Sequence, residues 1–106
     1  MNKINLDIPI ACTLSDAALA RRREDTIASL FQQAEARQEL EDGYAFRFPG
    51  TDAQADHLLD FIKFERRCCA FFTLDLSFEP NQGHIWLSLR GGDGVKAFIQ
   101  AELAIG

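Results

Sequence analysis

The chain has 106 residues, 47% of them hydrophobic and 25% charged, which is typical of one small globular domain. Its 11 basic and 16 acidic side chains give a net charge of −5, which disfavours nucleic acids and anionic membranes as partners because both would be repelled. No apolar stretch approaches the roughly 20 residues of a membrane-spanning helix, and the N-terminus lacks the apolar core of a signal peptide. We therefore expect residues 1–106 to form a single cytoplasmic domain.

The first half of the chain predicts a strand, a long helix and another strand. Apolar and polar residues alternate over residues 4–8, which indicates a short strand. Ser15 and Asp16 are typical capping residues, and the helix that follows them is expected to run to about Arg37. Behind an Asp-Gly turn, aromatic residues alternate over residues 44–48 and predict the next strand.

The middle of the chain contains one open assignment and one clear helix. Residues 38–41 precede the Asp-Gly turn, and the sequence leaves open whether they form the other arm of that hairpin. Thr51 or Asp52 caps a second predicted helix, which is expected to reach about Ala70.

The last third of the chain predicts a hairpin followed by a helix. With a four-residue loop, the hairpin over residues 72–90 places apolar residues opposite one another on one side. These pairs are Phe78 with Ile85, Leu76 with Leu87, and Leu74 with Leu89. The other side of the hairpin is polar except for Trp86. Asp93 is the expected cap of a third helix, from Gly94 to about Ala104.

The order of these elements predicts an α+β domain with two layers. We expect an antiparallel sheet of four or five strands with three helices packed on one face. The first six elements also match the order of a ferredoxin-like core.

Two charged residues fall on the apolar faces of the predicted helices. On the second helix, Glu65 lies in the middle of the apolar stripe, three and four residues before Cys68 and Cys69. On the first helix, Arg23 lies on the inner face. Because an isolated buried ion is unfavourable, we predict that Arg23 and Glu65 contact each other. The alternatives are that either side chain reaches solvent at the rim of its stripe, or that the pair is purely structural.

The three cysteines form the most informative pattern. Cα atoms of adjacent residues lie about 3.8 Å apart, below the range of roughly 4.4–6.8 Å found in disulfides, so Cys68 and Cys69 are expected to be free thiols. Two neighbouring thiolates can converge on a soft ion, and a third thiolate would complete a trigonal site. Cys12 is the candidate for that third sulfur because it precedes the start of the first helix, which favours a thiolate.

The charged neighbours of the thiols complete the candidate site. Arg66 and Arg67 are expected to favour the ionised thiols, and Glu65 is a candidate occasional ligand. The residues therefore point to a soft metal or metalloid ion held by Cys12, Cys68 and Cys69, with Glu65 beside it.

Other interpretations of the cysteines stay open. Free cysteine is often inert core packing, and Cys68 or Cys69 could instead be a redox or catalytic nucleophile with Glu65 as its base. A zinc site is less well supported because it needs four ligands. His57 lies too far along its helix from the thiols, and His84 falls on the outer face of the sheet.

The remaining features are weaker. Trp86, on the outer face with Arg90 and His84, is a candidate surface for a homodimer or a ligand. The Gly-rich run 91–94 is interpreted as a turn and helix cap rather than an anion site, because Asp93 would repel an anion. The order of serine, histidine and aspartate residues does not match a catalytic triad, and the chain has no phosphate loop and no nucleotide-binding motif.

Three segments resemble a family of small bacterial proteins of uncharacterised function. They are residues 64–72, which read FERRCCAFF, residues 85–91, which read IWLSLRG, and residues 94–99, which read GVKAFI. In that family a helix ends in Glu-Arg-x-Cys-Cys-Pro-Phe, a Trp-Leu strand follows, and a Lys-x-Phe helix comes next. The resemblance extends over about residues 10–104 and implies a unit built around Cys12, Glu65, Cys68 and Cys69. Ala70 replaces the proline of the family pattern.

Overall fold

The structure is a computed structural model that describes residues 16–105. In this part of the chain, three helices and four strands form an α+β fold, as predicted. In chain order they are α1 (Ala17–Phe31), β1 (Ala36–Leu40), β2 (Gly43–Phe48), α2 (Asp52–Cys68), β3 (Thr73–Phe78), β4 (Ile85–Arg90) and α3 (Val95–Glu102). The strand predicted over residues 4–8 and the candidate ligand Cys12 lie outside the described residues.

The four strands form one antiparallel sheet in the order β1-β2-β4-β3. The predicted pairing of β3 with β4 is confirmed in register, with Phe78 opposite Ile85 and Leu76 opposite Leu87. Strand β4 occupies the position between β2 and β3. The ferredoxin-like arrangement stays a prediction because its first strand belongs to the segment that is not described.

The prediction that the first helix runs to Arg37 is wrong. Helix α1 ends at Phe31, and residues 36–40 form β1, which pairs antiparallel with β2 through a tight turn. The sequence of β1, Ala-Arg-Gln-Glu-Leu, has the local preferences of a helix, so the pairing with β2 overrides those preferences. The hairpin that the sequence left open is therefore present.

The capping predictions hold for α2 but not for α3. Thr51 accepts a hydrogen bond at its Oγ1 from the backbone N–H of Gln54, at 3.1 Å, and α2 ends at Cys68, two residues before the expected end. Asp93 does not cap α3. The residue at the N-cap position is Gly94, whose φ of 90° favours glycine. No side chain accepts a capping hydrogen bond at this end of α3.

One face of the sheet carries the hydrophobic core and all three described helices. The buried residues come from β2, β4 and each helix: Leu30, Tyr44, Phe46, Phe48, Leu58, Phe61, Ile85, Leu87, Leu89, Val95 and Ile99, with Ile105 behind α3. The opposite face is mainly polar, and half-buried Trp86 donates a hydrogen bond from Nε1 to Glu79 at 3.3 Å. The role of this face in a homodimer stays a prediction. Within residues 16–105, none of the helices combines the length and apolar character needed to cross a bilayer.

Candidate metal centre

The predicted contact between Arg23 and Glu65 is confirmed and joins α1 to α2. The guanidinium donates from Nε to Glu65 Oε1 at 2.7 Å and from Nη2 to Oε2 at 3.1 Å, so the pair is bidentate. Both residues are buried, with 6% of Arg23 and 1% of Glu65 exposed. The alternative in which either side chain is solvated at the rim of its helix is therefore wrong.

A third helix also contributes to this ion pair. Arg23 donates from Nη1 to Oε1 of Glu102, near the end of α3, at 2.8 Å. Glu102 was not predicted from the sequence, although it shows the pattern that identified Arg23 and Glu65. On α3, Val95, Ile99 and Glu102 fall on one helical face, so Glu102 is again a charge on an apolar stripe.

Two thiols lie directly beside the buried carboxylate. Cys68 is the last residue of α2 and Cys69 is its C-cap, so helical spacing brings both side chains back toward Glu65. The Cys68 thiol donates to Glu65 Oε1 at 3.7 Å, and the two Sγ atoms are 3.6 Å apart. Both cysteines are buried, with 2% of Cys68 and 0% of Cys69 exposed. One ligand atom from each of Glu65, Cys68 and Cys69 lies within 4.8 Å of the others, which makes this a candidate metal-binding cluster.

The electrostatic environment favours a protonated thiol at Cys69. Burial, and then the negative charge of Glu65, raise the pKa of the Cys69 thiol far above its ordinary value of 9.0, although Arg23 acts in the opposite direction. The expectation that Arg66 and Arg67 favour an ionised thiol is therefore wrong for Cys69. Both arginines lie on the exposed side of α2, whereas Glu65 lies beside the sulfur.

The cation of the site is held firmly in its charged form. Burial alone would lower the pKa of Arg23, but the hydrogen bonds and charge of Glu65, assisted by Glu102, raise it above its ordinary value. Arg23 therefore stays positive. The two carboxylates that contact it carry more negative charge than its single positive charge offsets.

The separation of the two sulfur atoms limits the geometry of an ion between them. With metal–sulfur bonds of about 2.3 Å, sulfur atoms 3.6 Å apart subtend an angle of about 100° at the ion. A linear two-coordinate ion would require the sulfur atoms to move to about 4.6 Å apart. The pair as it stands therefore suits an ion with bent coordination.

Aromatic packing fixes the segment that follows the thiols. The ring of Phe71 contacts the rings of Phe72 and Phe98, with centroids 4.6 and 5.0 Å away. The backbone N–H of Phe72 donates to the carbonyl of Cys69 at 3.3 Å. Because Phe98 belongs to α3, these contacts hold the end of α2 against that helix.

A groove between α1 and α2 leads from the surface to the carboxylate of Glu65. Its volume is about 220 Å³, and its lining includes Arg22, Arg23, His57 and Phe64. A smaller cavity of about 20 Å³ shares Arg23 and Glu65 with the groove. The ion pair therefore forms part of the wall of both cavities.

The two histidines lie apart from the described cluster. His57 lines the groove, and among residues 16–105 the metal-binding cluster comprises Glu65, Cys68 and Cys69. On the outer face of the sheet, His84 has its Nε2 3.2 Å from Glu35 and its Nδ1 3.6 Å from Glu79. Comparison of the chain with protein-family models, curated proteins and solved structures found no match.

Proposed function

We propose that this protein binds a soft metal or metalloid ion through the paired sulfur atoms of Cys68 and Cys69. Cys12 supplies a third sulfur, and Glu65 lies beside the ion as an occasional ligand. Such a site serves storage, sensing or detoxification of the ion. The observation that carries the proposal is the separation of 3.6 Å between two buried sulfur atoms, with a buried carboxylate in contact.

The buried ion pair supports the chemistry of binding. A thiol must lose its proton when a metal–sulfur bond forms. Glu65 Oε1 already accepts a hydrogen bond from the Cys68 thiol, so it is the nearest base for that proton. Arg23 holds the carboxylate by two hydrogen bonds and fixes its orientation toward the thiols.

The contact between Cys68 and Glu65 also supports a second function. In a thiol enzyme, Cys68 would be the nucleophile and Glu65 the base that activates it. Two observations make this the weaker proposal. Cys68 is almost fully buried, and the environment of the neighbouring thiol favours the protonated form, whereas reactive cysteines are usually accessible thiolates.

The proposal is tested by titrating the reduced chain of residues 1–106 with mercuric, arsenite, cuprous and zinc ions. Binding is followed by thiolate charge-transfer absorption and by native mass spectrometry. We expect one ion per chain, and binding weakened by about 100-fold in Cys68→Ser or Cys69→Ser, because the second sulfur bond of a chelate forms intramolecularly. Cys12→Ser tests the third sulfur separately. If no ion binds more tightly to the natural chain than to the triple Ser variant, the proposal is refuted.

A matched pair of variants isolates the role of the carboxylate. Glu65→Gln and Glu102→Gln each remove one carboxylate from Arg23, but only Glu65 contacts a thiol. We expect Glu65→Gln to slow ion uptake and Glu102→Gln to leave it close to that of the natural chain. Equal effects would show that Glu65 acts only through the ion pair.

A further inference from the structure

The charge and shape of the thiol pair restrict the kind of ion that fits it. We propose that the ligand is a trivalent metalloid, taken up as its neutral hydroxide and held in a pyramidal arrangement by Cys68 and Cys69. The inference rests on the proposed function and names the chemical class of its ligand. It uses Glu65, Cys68 and Cys69 together with Arg23, and it holds whether or not Cys12 contributes a third sulfur.

The charge balance of the buried site favours a neutral ligand. A monovalent ion between two thiolates leaves one excess negative charge in a site where both sulfur atoms are buried and Glu65 is adjacent. Arg23 does not offset this excess because it already contacts two carboxylates. The C-terminal end of α2 carries partial negative charge, which further disfavours an anionic complex at Cys68 and Cys69.

Divalent ions balance the charge of two thiolates but do not fit the donor set. A divalent ion such as zinc requires four ligands in a closed protein site. The metal-binding cluster found over residues 16–105 offers three donors, one fewer than that number. A third thiolate from Cys12 would supply the fourth donor but would leave a divalent ion with one excess negative charge. A mercuric ion needs only two thiolates, but its linear coordination requires the sulfur atoms to lie about 4.6 Å apart instead of 3.6 Å. A trivalent metalloid completes its coordination with three bonds, so two sulfur atoms and one hydroxyl are sufficient.

The arrangement of the donors matches a pyramid. Trivalent metalloids carry a lone pair, so their three bonds lie on one side of the atom with angles near those of a tetrahedron or smaller. The sulfur separation of 3.6 Å corresponds to an angle of about 100° at bond lengths of about 2.3 Å. Cys68 and Cys69 follow Glu65 by three and four residues at the end of α2, and one ligand atom from each of the three lies within 4.8 Å of the others.

The binding step is an exchange of hydroxyl groups for thiols. Two metalloid–sulfur bonds form and two metalloid–oxygen bonds break, and each thiol proton leaves with a hydroxyl as water. The metalloid keeps its oxidation state, and no oxidant or reductant takes part. Glu65 accepts the proton of Cys68 and returns it to the departing hydroxyl. The remaining hydroxyl is retained or is exchanged for the thiol of Cys12, and in both cases the product is neutral.

The test uses the reduced chain of residues 1–106 with sodium arsenite as the probe and cadmium and zinc chlorides as divalent comparisons. Native mass spectrometry reports the product. We expect a gain of one arsenous acid less two waters when two thiols react, or less three waters when Cys12 also reacts. We also expect arsenite to bind more tightly than either divalent ion, and to protect Cys68 and Cys69 from alkylation in the natural chain.

The outcomes separate this inference from the proposed function. If cadmium or zinc binds through Cys68 and Cys69 but arsenite does not, the trivalent class is wrong and the soft-ion site stands. If none of the ions in the wider titration binds, both proposals fail. Because the alkylation measurement is made on the natural chain, it gives a result even if Cys68→Ser or Cys69→Ser does not fold. Alkylation of both thiols at the same rate with and without arsenite would refute the inference.

Discussion

Replacing Arg23 by Met should destabilise the fold strongly, because the substitution leaves a buried carboxylate without its cation. The side chain of Glu65 is 1% exposed and accepts two hydrogen bonds from Arg23. Removing one partner of a buried ion pair costs about 3–5 kcal/mol. A domain of this length has a free energy of unfolding of about 5–15 kcal/mol, so the loss is a large fraction of the total.

Urea unfolding measures this loss, and Arg90 provides a matched control. Arg90 also binds two carboxylates, those of Asp75 and Asp42, but on the outer face of the sheet where its side chain is 35% exposed. With an m-value of about 1.5 kcal/mol per molar urea, Arg23→Met should lower the midpoint by about 2–3 M, whereas Arg90→Met should change it little. The double variant Arg23→Met with Glu65→Leu should recover most of the loss, because no buried charge remains unpaired. If Arg23→Met and Arg90→Met lower the urea midpoint by the same small amount, burial of the ion pair does not explain the stability of the fold.

Two further predictions concern the Cys69 thiol and the turn before β2. Because folding raises the pKa of Cys69, its stabilising contribution is present below the ordinary thiol pKa of 9.0 and is lost as the pH rises above it. Urea unfolding at pH 8 and pH 10.5 should therefore show a steeper decline for the natural chain than for Cys69→Ser, and parallel declines would contradict the raised pKa. A Cβ atom on Gly43 would lie 1.9 Å from the carbonyl oxygen of Leu89, whereas one on Gly92 would meet nothing within 4 Å. Gly43→Ala should thus lower the free energy of unfolding by about 1–3 kcal/mol and Gly92→Ala should leave it nearly unchanged, whereas similar values for both would show that β2 and β4 approach less closely than described.

The sequence predicted those parts of the fold in which local pattern and tertiary packing agree. In the hairpin of β3 and β4, alternating apolar residues determine the strand pairing and bury one face of β4, although Phe78 at the end of β3 is 60% exposed. In β1 the two signals conflict, because helix-favouring residues are held in a strand by pairing with β2. The end of α1 was misplaced for this reason, and no local signal marked Phe31 as its last residue.

The candidate site was predictable where a single residue violated its surroundings. Arg23 and Glu65 were found because each is a charge on an apolar stripe, and each could be paired only with an opposite charge. The protonation state of the Cys69 thiol was not predictable from such a pattern. It depends on the distance between Glu65 and the sulfur of Cys69 and on how completely the end of α2 is covered, and both are consequences of tertiary packing.

The same geometry allows the stabilising and binding roles of the site to be separated. Arg23 of α1 hydrogen-bonds both Glu65 of α2 and Glu102 of α3. Its replacement should therefore mainly lower the free energy of unfolding, rather than change the thiols directly. Cys68 and Cys69 lie beside Glu65 and supply none of the hydrogen bonds that hold Arg23 to Glu65 and Glu102. Replacement of both thiols by serine should therefore retain the ion pair and most of the stability while removing the sulfur ligands. A chain that keeps its unfolding midpoint and loses its ion would assign the thiols to binding and the ion pair to the fold.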